Sequence, residues 1–142
     1  MLVECIFNSG KDVPLECRYC YETEETDYSF LEVGAEYYVY GLILRPLRVD
    51  YFVRIGNGNP DWIPGNLFKM KGQEVPIGWS ICVTYLNNDY KYLYEKFNIL
   101  SIISYPELVN SISHFEGILE RDPDEMIKFF LEKEKMDSIF RE

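Results

Sequence analysis

Hydrophobic and polar positions alternate in short runs over most of the first hundred residues. The clearest run is 36–44 (EYYVYGLIL), which is rich in β-branched and aromatic residues, and 49–55 alternates apolar with polar positions. Both patterns are typical of β-strands. Further strands are predicted at 2–7, 79–85 and 99–105.

The pattern changes to a helical period near the C-terminus. Asp122 precedes Pro123, and Glu125 follows three positions after Asp122, which is the arrangement of a helix N-cap with proline in the first turn. Apolar residues then recur along one face. The sequence therefore predicts a helix that begins after Asp122, with a shorter helix within 106–119. Residues 90–97 fit either a helix or a strand.

The order of these elements predicts a single α+β domain over 1–142. Several short strands followed by a terminal helix favour a small SH3-like β-barrel, or a strongly twisted antiparallel sheet, over about 1–105. A C-terminal helical segment is expected over about 106–142. Irregular sequence between the first strands predicts an exposed acidic loop at about 13–30.

Composition adds a marked excess of acidic residues to this picture. The chain has 142 residues and a formal net charge of −10, and its 47% hydrophobic content is sufficient for a core. Residues 1–35 hold eight acids and two bases, and 105–142 hold ten acids and five bases, whereas 36–104 hold six acids and seven bases. Such a protein repels nucleic acid and anionic lipid, and attracts a basic protein partner.

The sequence shows no targeting or membrane segment. Its first residues lack a basic region followed by an apolar run, and no stretch approaches the roughly 20 apolar residues of a membrane helix. We therefore expect a cytoplasmic protein that binds neither membrane nor nucleic acid. Its four cysteines are expected to be thiols.

The sequence contains no catalytic signature. Nucleophilic catalysis would have to use His114, the only histidine, which lies in no known motif and is expected to bond a nearby backbone group. The glycines at 56 and 58 lack the third glycine and the lysine of a phosphate-binding loop. We predict no enzyme activity, no catalytic residue and no cofactor.

Cys17 and Cys20 form the sharpest local motif, C-x-x-C. One such pair supplies two of the four ligands of a structural zinc site, and only Cys5 and Cys82 remain to complete it. A redox role needs thiolates, which neighbouring glutamates disfavour. Incidental thiols with no bound metal are the favoured interpretation, and zinc binding and redox chemistry stay open as alternatives.

Acidic and aromatic residues are interleaved in the loop at 13–30, which is the candidate binding site. Aromatic side chains beside charges are typical of protein-binding hot spots. The candidate partner-binding residues are Glu22, Glu24, Glu25, Asp27, Tyr19, Tyr21 and Tyr28.

Two motifs resemble those of small SH3-like β-barrel proteins of bacteria and their phages. They are LxVGxxYxVYG over 31–41 and WIPxxLF over 62–68, and the similarity extends into 105–110 and 114–121. This resemblance implies a fold and leaves the function open. Residues 13–30 match no part of that group.

In size, acidity and single-domain form the chain also resembles immunity proteins of contact-dependent growth inhibition and other interbacterial toxin systems. This resemblance implies a protein that binds and neutralises a toxin, often a basic nuclease, by placing carboxylates where the nucleic acid would lie. The first hypothesis is therefore an immunity protein that uses the acidic loop. The alternative is an SH3-like adaptor or housekeeping module that binds a peptide or host protein through its aromatic face.

Overall fold

The strands and helices form an α+β fold with two antiparallel sheets and a C-terminal helix, in a computed structural model that describes residues 1–141. The predicted α+β class is confirmed. The strands are β1 (Leu2–Cys5), β2 (Glu36–Tyr38), β3 (Gly41–Arg45), β4 (Arg48–Arg54), β5 (Pro60–Pro64), β6 (Phe68–Gly72), β7 (Ser80–Val83) and β8 (Ser101–Ser104). The helices are α1 (Lys91–Phe97), α2 (Pro106–Asn110), α3 (Ile112–Leu119) and α4 (Pro123–Phe140).

Strand pairing divides these strands between two sheets. The smaller sheet has the order β2-β1-β6, and the larger has the order β5-β4-β3-β8-β7. Every pair is antiparallel. Among the strands of residues 1–141 the pairing closes neither sheet on itself, so the described architecture is two sheets and no closed barrel.

The run at 36–44, predicted as one strand, is two strands in different sheets. β2 pairs with β1, whereas β3 pairs with β4 and β8. Val39 and Tyr40 lie between them and are buried, and the Tyr40 hydroxyl donates a hydrogen bond of 2.7 Å to Asp137 on α4. The single-strand prediction is wrong because the apolar pattern continues through the bend, where both residues enter the core.

The larger sheet separates two hydrophobic clusters. Phe52 on β4 packs on the side of the helices with Phe115 and Phe129, whereas its neighbour Val53 packs on the other side with Val3 of β1. Successive strand side chains point to opposite faces, so β4 contributes to both clusters. The alternation at 49–55 therefore marks a strand covered on both faces.

The predicted start of the C-terminal helix is confirmed. The Asp122 side chain accepts hydrogen bonds from the N–H groups of Asp124 and Glu125 at 3.0 and 3.2 Å, and Pro123 lies in the first turn. The predicted apolar stripe is only partly buried. Three of its side chains are largely exposed, namely Ile127, Leu131 and Ile139.

The predicted helix within 106–119 is confirmed, and this stretch forms two helices, α2 and α3, separated at Ser111. The stretch 90–97, which fitted either a helix or a strand, contains helix α1. Within residues 1–141, no helix is both long enough and apolar enough to span a membrane.

Candidate functional site

A buried ion-pair network attaches the loop at 13–30 to the larger sheet. Arg48 on β4 is only 7% exposed, and it donates from Nε to Asp50 Oδ1 at 2.6 Å and from Nη1 to Glu22 Oε1 at 2.5 Å. Arg45 on β3 adds an ion pair of 3.0 Å with Asp50. Charged groups of two adjacent strands therefore hold the carboxylate of a loop residue in place.

Three of the predicted binding residues belong to this network. Burial disfavours the Glu22 carboxylate, but hydrogen bonds from Arg48, from the Tyr19 N–H and from the Tyr28 hydroxyl outweigh it, so the pKa of Glu22 lies below its ordinary value. Burial, and then the Glu22 charge, raises the pKa of Tyr28. The Tyr19 ring centroid lies 5.1 and 5.2 Å from the guanidinium carbons of Arg45 and Arg48. Glu22, Tyr19 and Tyr28 are therefore engaged inside the protein.

The other four predicted binding residues lie at the protein surface. Tyr21 is fully exposed, and Cys20 before it is exposed as well. Cys20 and Tyr21 both adopt left-handed φ angles, 56° and 63°, which are costly for residues that carry a Cβ. The chain therefore turns sharply at Cys20 and Tyr21, and the next residue, Glu22, is held by its ion pair with Arg48. The exposed members are Tyr21, Glu24, Glu25 and Asp27.

All four cysteines are free thiols, as predicted. Cys5 and Cys82 are buried in the two different hydrophobic clusters, so they do not lie together as a second pair of ligands. Within residues 1–141, no cysteine belongs to a group of three or more metal-ligating side chains. The zinc alternative therefore has only two thiol ligands in the described part of the chain.

His114 joins α3 to α4 and to the end of β8. Its Nδ1 lies 2.7 Å from Glu125 Oε2, and its Nε2 lies 2.7 Å from the Tyr105 hydroxyl. Because a carboxylate only accepts, Nδ1 carries a proton, and in the neutral ring Nε2 then accepts from the Tyr105 hydroxyl. The hydrogen bond from His114 is the main cause that lowers the pKa of Glu125. His114 is fully buried, and its ring bonds side chains instead of the backbone group that we expected.

A glycine makes this contact between helices possible. A Cβ at Gly117 of α3 would lie 2.4 Å from Cγ of Glu125, a distance that side chains do not tolerate. The absence of a side chain at this position lets α4 approach α3 closely. Glu125 is thereby brought within hydrogen-bonding distance of His114.

Glu107, His114 and Glu125 are the one group of metal-ligand type within residues 1–141, with ligand atoms within 4.8 Å of one another. Lys128 Nζ lies 3.4 Å from Glu107 and 3.2 Å from Glu125. Both nitrogens of the His114 ring already have hydrogen-bond partners. A lysine thus supplies the positive charge that a metal ion would bring, and the group is an ion-pair network between helices.

A groove of about 410 Å³ lies between the larger sheet, α1 and α3. Trp62 on β5 forms part of its apolar lining and stacks on Phe52, with ring centroids 4.4 Å apart. A Cβ at Gly41 would lie 3.2 Å from the Trp62 ring, so this glycine gives the ring the space to lie across the sheet. The remaining apolar lining is Ile43, Leu93, Phe97, Ile99, Phe115 and Leu119.

The charged part of the groove lining is mostly acidic. It consists of the carboxylates of Asp61, Glu116 and Glu120 and a single base, Arg45. Burial raises the pKa of Asp61. Burial and the adjacent Glu116 carboxylate raise the pKa of Tyr92, another lining residue, to about 12.

The loop at 13–30 forms one edge of this groove. Cys20 lines the groove, and its Sγ lies 3.9 Å from Nη2 of Arg45. Arg45 also donates to Asp50 and to the Phe97 carbonyl. The charge of Arg45 is therefore balanced within the protein. The exposed part of the loop that holds Tyr21, Glu24, Glu25 and Asp27, the acidic tip, follows the groove residue Cys20 directly along the chain.

Sequence reasoning missed both the anchor and the groove. The ion-pair anchor around Arg48 could have been predicted from the sequence. Arg48 and Asp50 are opposite charges two positions apart in an apolar strand, and residues with this spacing share one face of the strand. The groove could not have been predicted, since its lining comes from segments between residues 20 and 120 that only the tertiary fold brings together.

Comparison of the chain with models of protein families, with curated proteins and with solved structures gave no match. Function is therefore inferred from the geometry of the loop and the groove.

Proposed function

We propose that this chain is a non-catalytic binding protein that neutralises a basic toxin domain, in the manner of a cytoplasmic immunity protein. The observation that carries the proposal is the loop at 13–30, which presents acidic and aromatic side chains outward from a buried ion-pair anchor. The seven predicted residues then divide into two roles. Four contact the partner, and Tyr19, Glu22 and Tyr28 hold the loop in its conformation.

Preorganisation is the physical advantage of this arrangement. A loop already fixed by Arg48 loses little conformational entropy on binding, so more of the contact energy appears as affinity. Tyr21 offers a large amphipathic ring with few rotatable bonds, which is typical of hot-spot residues. The surrounding carboxylates attract a basic partner and speed its encounter with the loop.

The proposed function is tested first by whether a gene that neighbours this chain's gene encodes a basic toxin domain, and then with that domain. The loop variant carries Glu24→Lys, Glu25→Lys and Asp27→Lys. Its association rate with that domain, measured by stopped-flow fluorescence at low salt, is expected to fall by at least about tenfold, because steering depends on local charge. Tyr21→Ala is expected instead to speed dissociation.

A matched control changes the same net charge elsewhere. Glu74→Lys, Glu95→Lys and Glu134→Lys reverse three exposed carboxylates outside the loop. This variant is expected to lose much less of the association rate. Equal losses in the two triple variants, or unchanged affinity in the loop variant, would contradict the loop assignment.

The alternative function, an SH3-like module that binds a peptide or host protein, is favoured by a separate aromatic surface. Tyr85 and Tyr94 are 50% and 42% exposed with ring centroids 5.5 Å apart, and Leu86 beside them is 75% exposed. Under this alternative, Tyr85→Ala and Leu86→Ala abolish binding and the acidic loop variant does not. Under the immunity proposal, the two results are reversed.

A further inference from the structure

The groove combines an apolar, aromatic lining with carboxylates, and only one kind of ligand matches both features. Its floor and walls are apolar and aromatic, and its charged groups are three carboxylates without a free base to balance them. Arg121 lies near Asp61, but an apolar guest alone would leave Glu116 and Glu120 beside it without a counter-charge. A guest that is planar, weakly hydrated and positively charged satisfies both parts of the lining.

We propose that this groove is the binding site for an arginine side chain of the basic partner. This inference rests on the proposed function and adds to it the chemistry of a second contact. A guanidinium stacks on aromatic rings and donates to carboxylates in its own plane, whereas a lysine ammonium is a compact and strongly hydrated charge. Trp62 and Tyr92 supply the rings, and Asp61 and Glu116 supply the acceptors.

Continuity with the acidic tip argues that one partner reaches both sites. Cys20 lines the groove, and the next residue, Tyr21, is the fully exposed aromatic of the tip. Consecutive Cα atoms are about 3.8 Å apart, so a partner segment that covers Tyr21 lies at the groove edge. Burial raises the pKa of Asp61 although Arg121 lies nearby, so a cation that enters the groove further stabilises the ionised form of this carboxylate.

The guest is also limited by size. A groove of about 410 Å³ is at the small end of the range for ligand sites, which suits one long side chain with its neighbours and is too small for a folded element. The lining base, Arg45, does not repel the guest strongly because Asp50 holds its charge at 3.0 Å.

The test uses the whole chain, labelled with ¹⁵N, and the blocked tripeptide acetyl-Leu-Arg-Leu-amide as the probe. The two tryptophan indole N–H signals report independently, because Trp62 lines the groove and Trp79 does not. We expect the Trp62 signal to shift and saturate with added peptide, while the Trp79 signal stays in place. The same peptide with citrulline for arginine keeps the shape and loses the charge. It is expected to bind at least about tenfold more weakly, as for other charge-assisted contacts.

Two conservative variants locate the site. Asp61→Asn and Glu116→Gln keep side-chain oxygens that accept hydrogen bonds, and each is expected to weaken peptide binding by about fivefold or more. Glu134→Gln on α4 removes an exposed carboxylate away from the groove and is expected to leave binding unchanged. An unshifted Trp62 signal, equal binding of the citrulline peptide, or equal losses in all three variants would overturn the inference.

The outcome of this experiment is independent of the test of the proposed function, because the peptide titration contains no toxin domain. A peptide that does not bind removes the groove assignment while the charge-reversal variants still test the loop. If the peptide binds at Trp62 and the loop variant binds the toxin domain as tightly as the wild type does, the arginine site in the groove is supported and the loop assignment is refuted.

Discussion

Arg48 is the residue on which the proposed binding loop depends most directly. Its guanidinium joins β4 to the loop by contacting Asp50, Glu22 and the Cys17 carbonyl. Burial alone would lower the pKa of Arg48, but the hydrogen bonds to the two carboxylates raise it above its ordinary value. A buried charge of this kind stabilises a structure only while its partners are present.

Arg48→Met is expected to lower the free energy of unfolding by about 3–5 kcal/mol, because it leaves the largely buried Glu22 carboxylate without a counter-charge and leaves Asp50 with Arg45 alone. Arg48→Lys keeps the positive charge and loses the forked geometry of the guanidinium. Its free energy of unfolding is expected to lie between those of Arg48→Met and the wild type. Urea unfolding followed by circular dichroism measures both. Lys135→Met, at an exposed position, is the control and is expected to have no measurable effect. A loss from Arg48→Met no larger than that of the control would show that the network does not stabilise the fold.

Glu22 gives this network a defined response to acid. Its folded pKa lies below the ordinary value of 4.5. The ionised Glu22 carboxylate therefore contributes its full stabilisation above about pH 4.5. This stabilisation is lost as the pH falls through the pKa of Glu22 in the folded protein, because the folded and unfolded states then both bind the proton. The difference in unfolding free energy between the wild type and Glu22→Gln is expected to be about 1–2 kcal/mol at pH 7 and to shrink below pH 4.5. Chemical unfolding between pH 7 and pH 3 measures it. A difference that is constant with pH would contradict the ionised pair.

At the scale of elements, the contact between α3, α4 and the end of β8 is made by polar groups in a dry site. Tyr105 is 2% exposed, and His114 is fully buried. Burial, followed by nearby carboxylates, raises the pKa of Tyr105, so its hydroxyl stays protonated and needs an acceptor. Nε2 of the neutral His114 ring, 2.7 Å from the hydroxyl, is that acceptor.

A double-variant cycle tests this element contact. His114→Leu leaves the Tyr105 hydroxyl buried without a partner, which costs about 1–3 kcal/mol beyond the loss of the histidine itself. Adding Tyr105→Phe removes that hydroxyl. The double variant is therefore expected to be at least as stable as His114→Leu alone, although Tyr105→Phe by itself destabilises the wild type. Additive losses in thermal unfolding would show that the two side chains do not interact.

At the scale of the whole molecule, the net charge of −10 is an unfavourable term in the free energy of folding. The exposed acids lie mostly in the loop and in the C-terminal helical part. Repulsion among exposed charges is screened by salt, whereas the buried pairs around Arg48 are screened much less.

Raising NaCl from about 20 to about 200 mM at pH 7 is therefore expected to raise the thermal midpoint by a few degrees. Differential scanning calorimetry measures the change. The triple variant Glu74→Lys, Glu95→Lys and Glu134→Lys, which carries less net charge, is expected to respond less. A midpoint that falls with salt would mean that exposed ion pairs outweigh the repulsion.

The sequence by itself determined the elements that depend on local chemistry. The cap at Asp122 and Pro123 is made within one turn, and strands overlap the predicted runs at 2–7, 49–55, 79–85 and 99–105, because these preferences act over a few residues. The acidity of the two ends and the four thiols also follow from the residues alone.

Only the tertiary structure decided which residues of the loop face inward. Glu22 and Glu24 are alike in sequence, yet Glu22 meets Arg48 from a strand 26 positions away and Glu24 remains exposed. The same holds for the split of 36–44 between two sheets and for the groove around Trp62. Each depends on long-range pairing, in which the energy of a contact is gained only when distant segments have already been brought together.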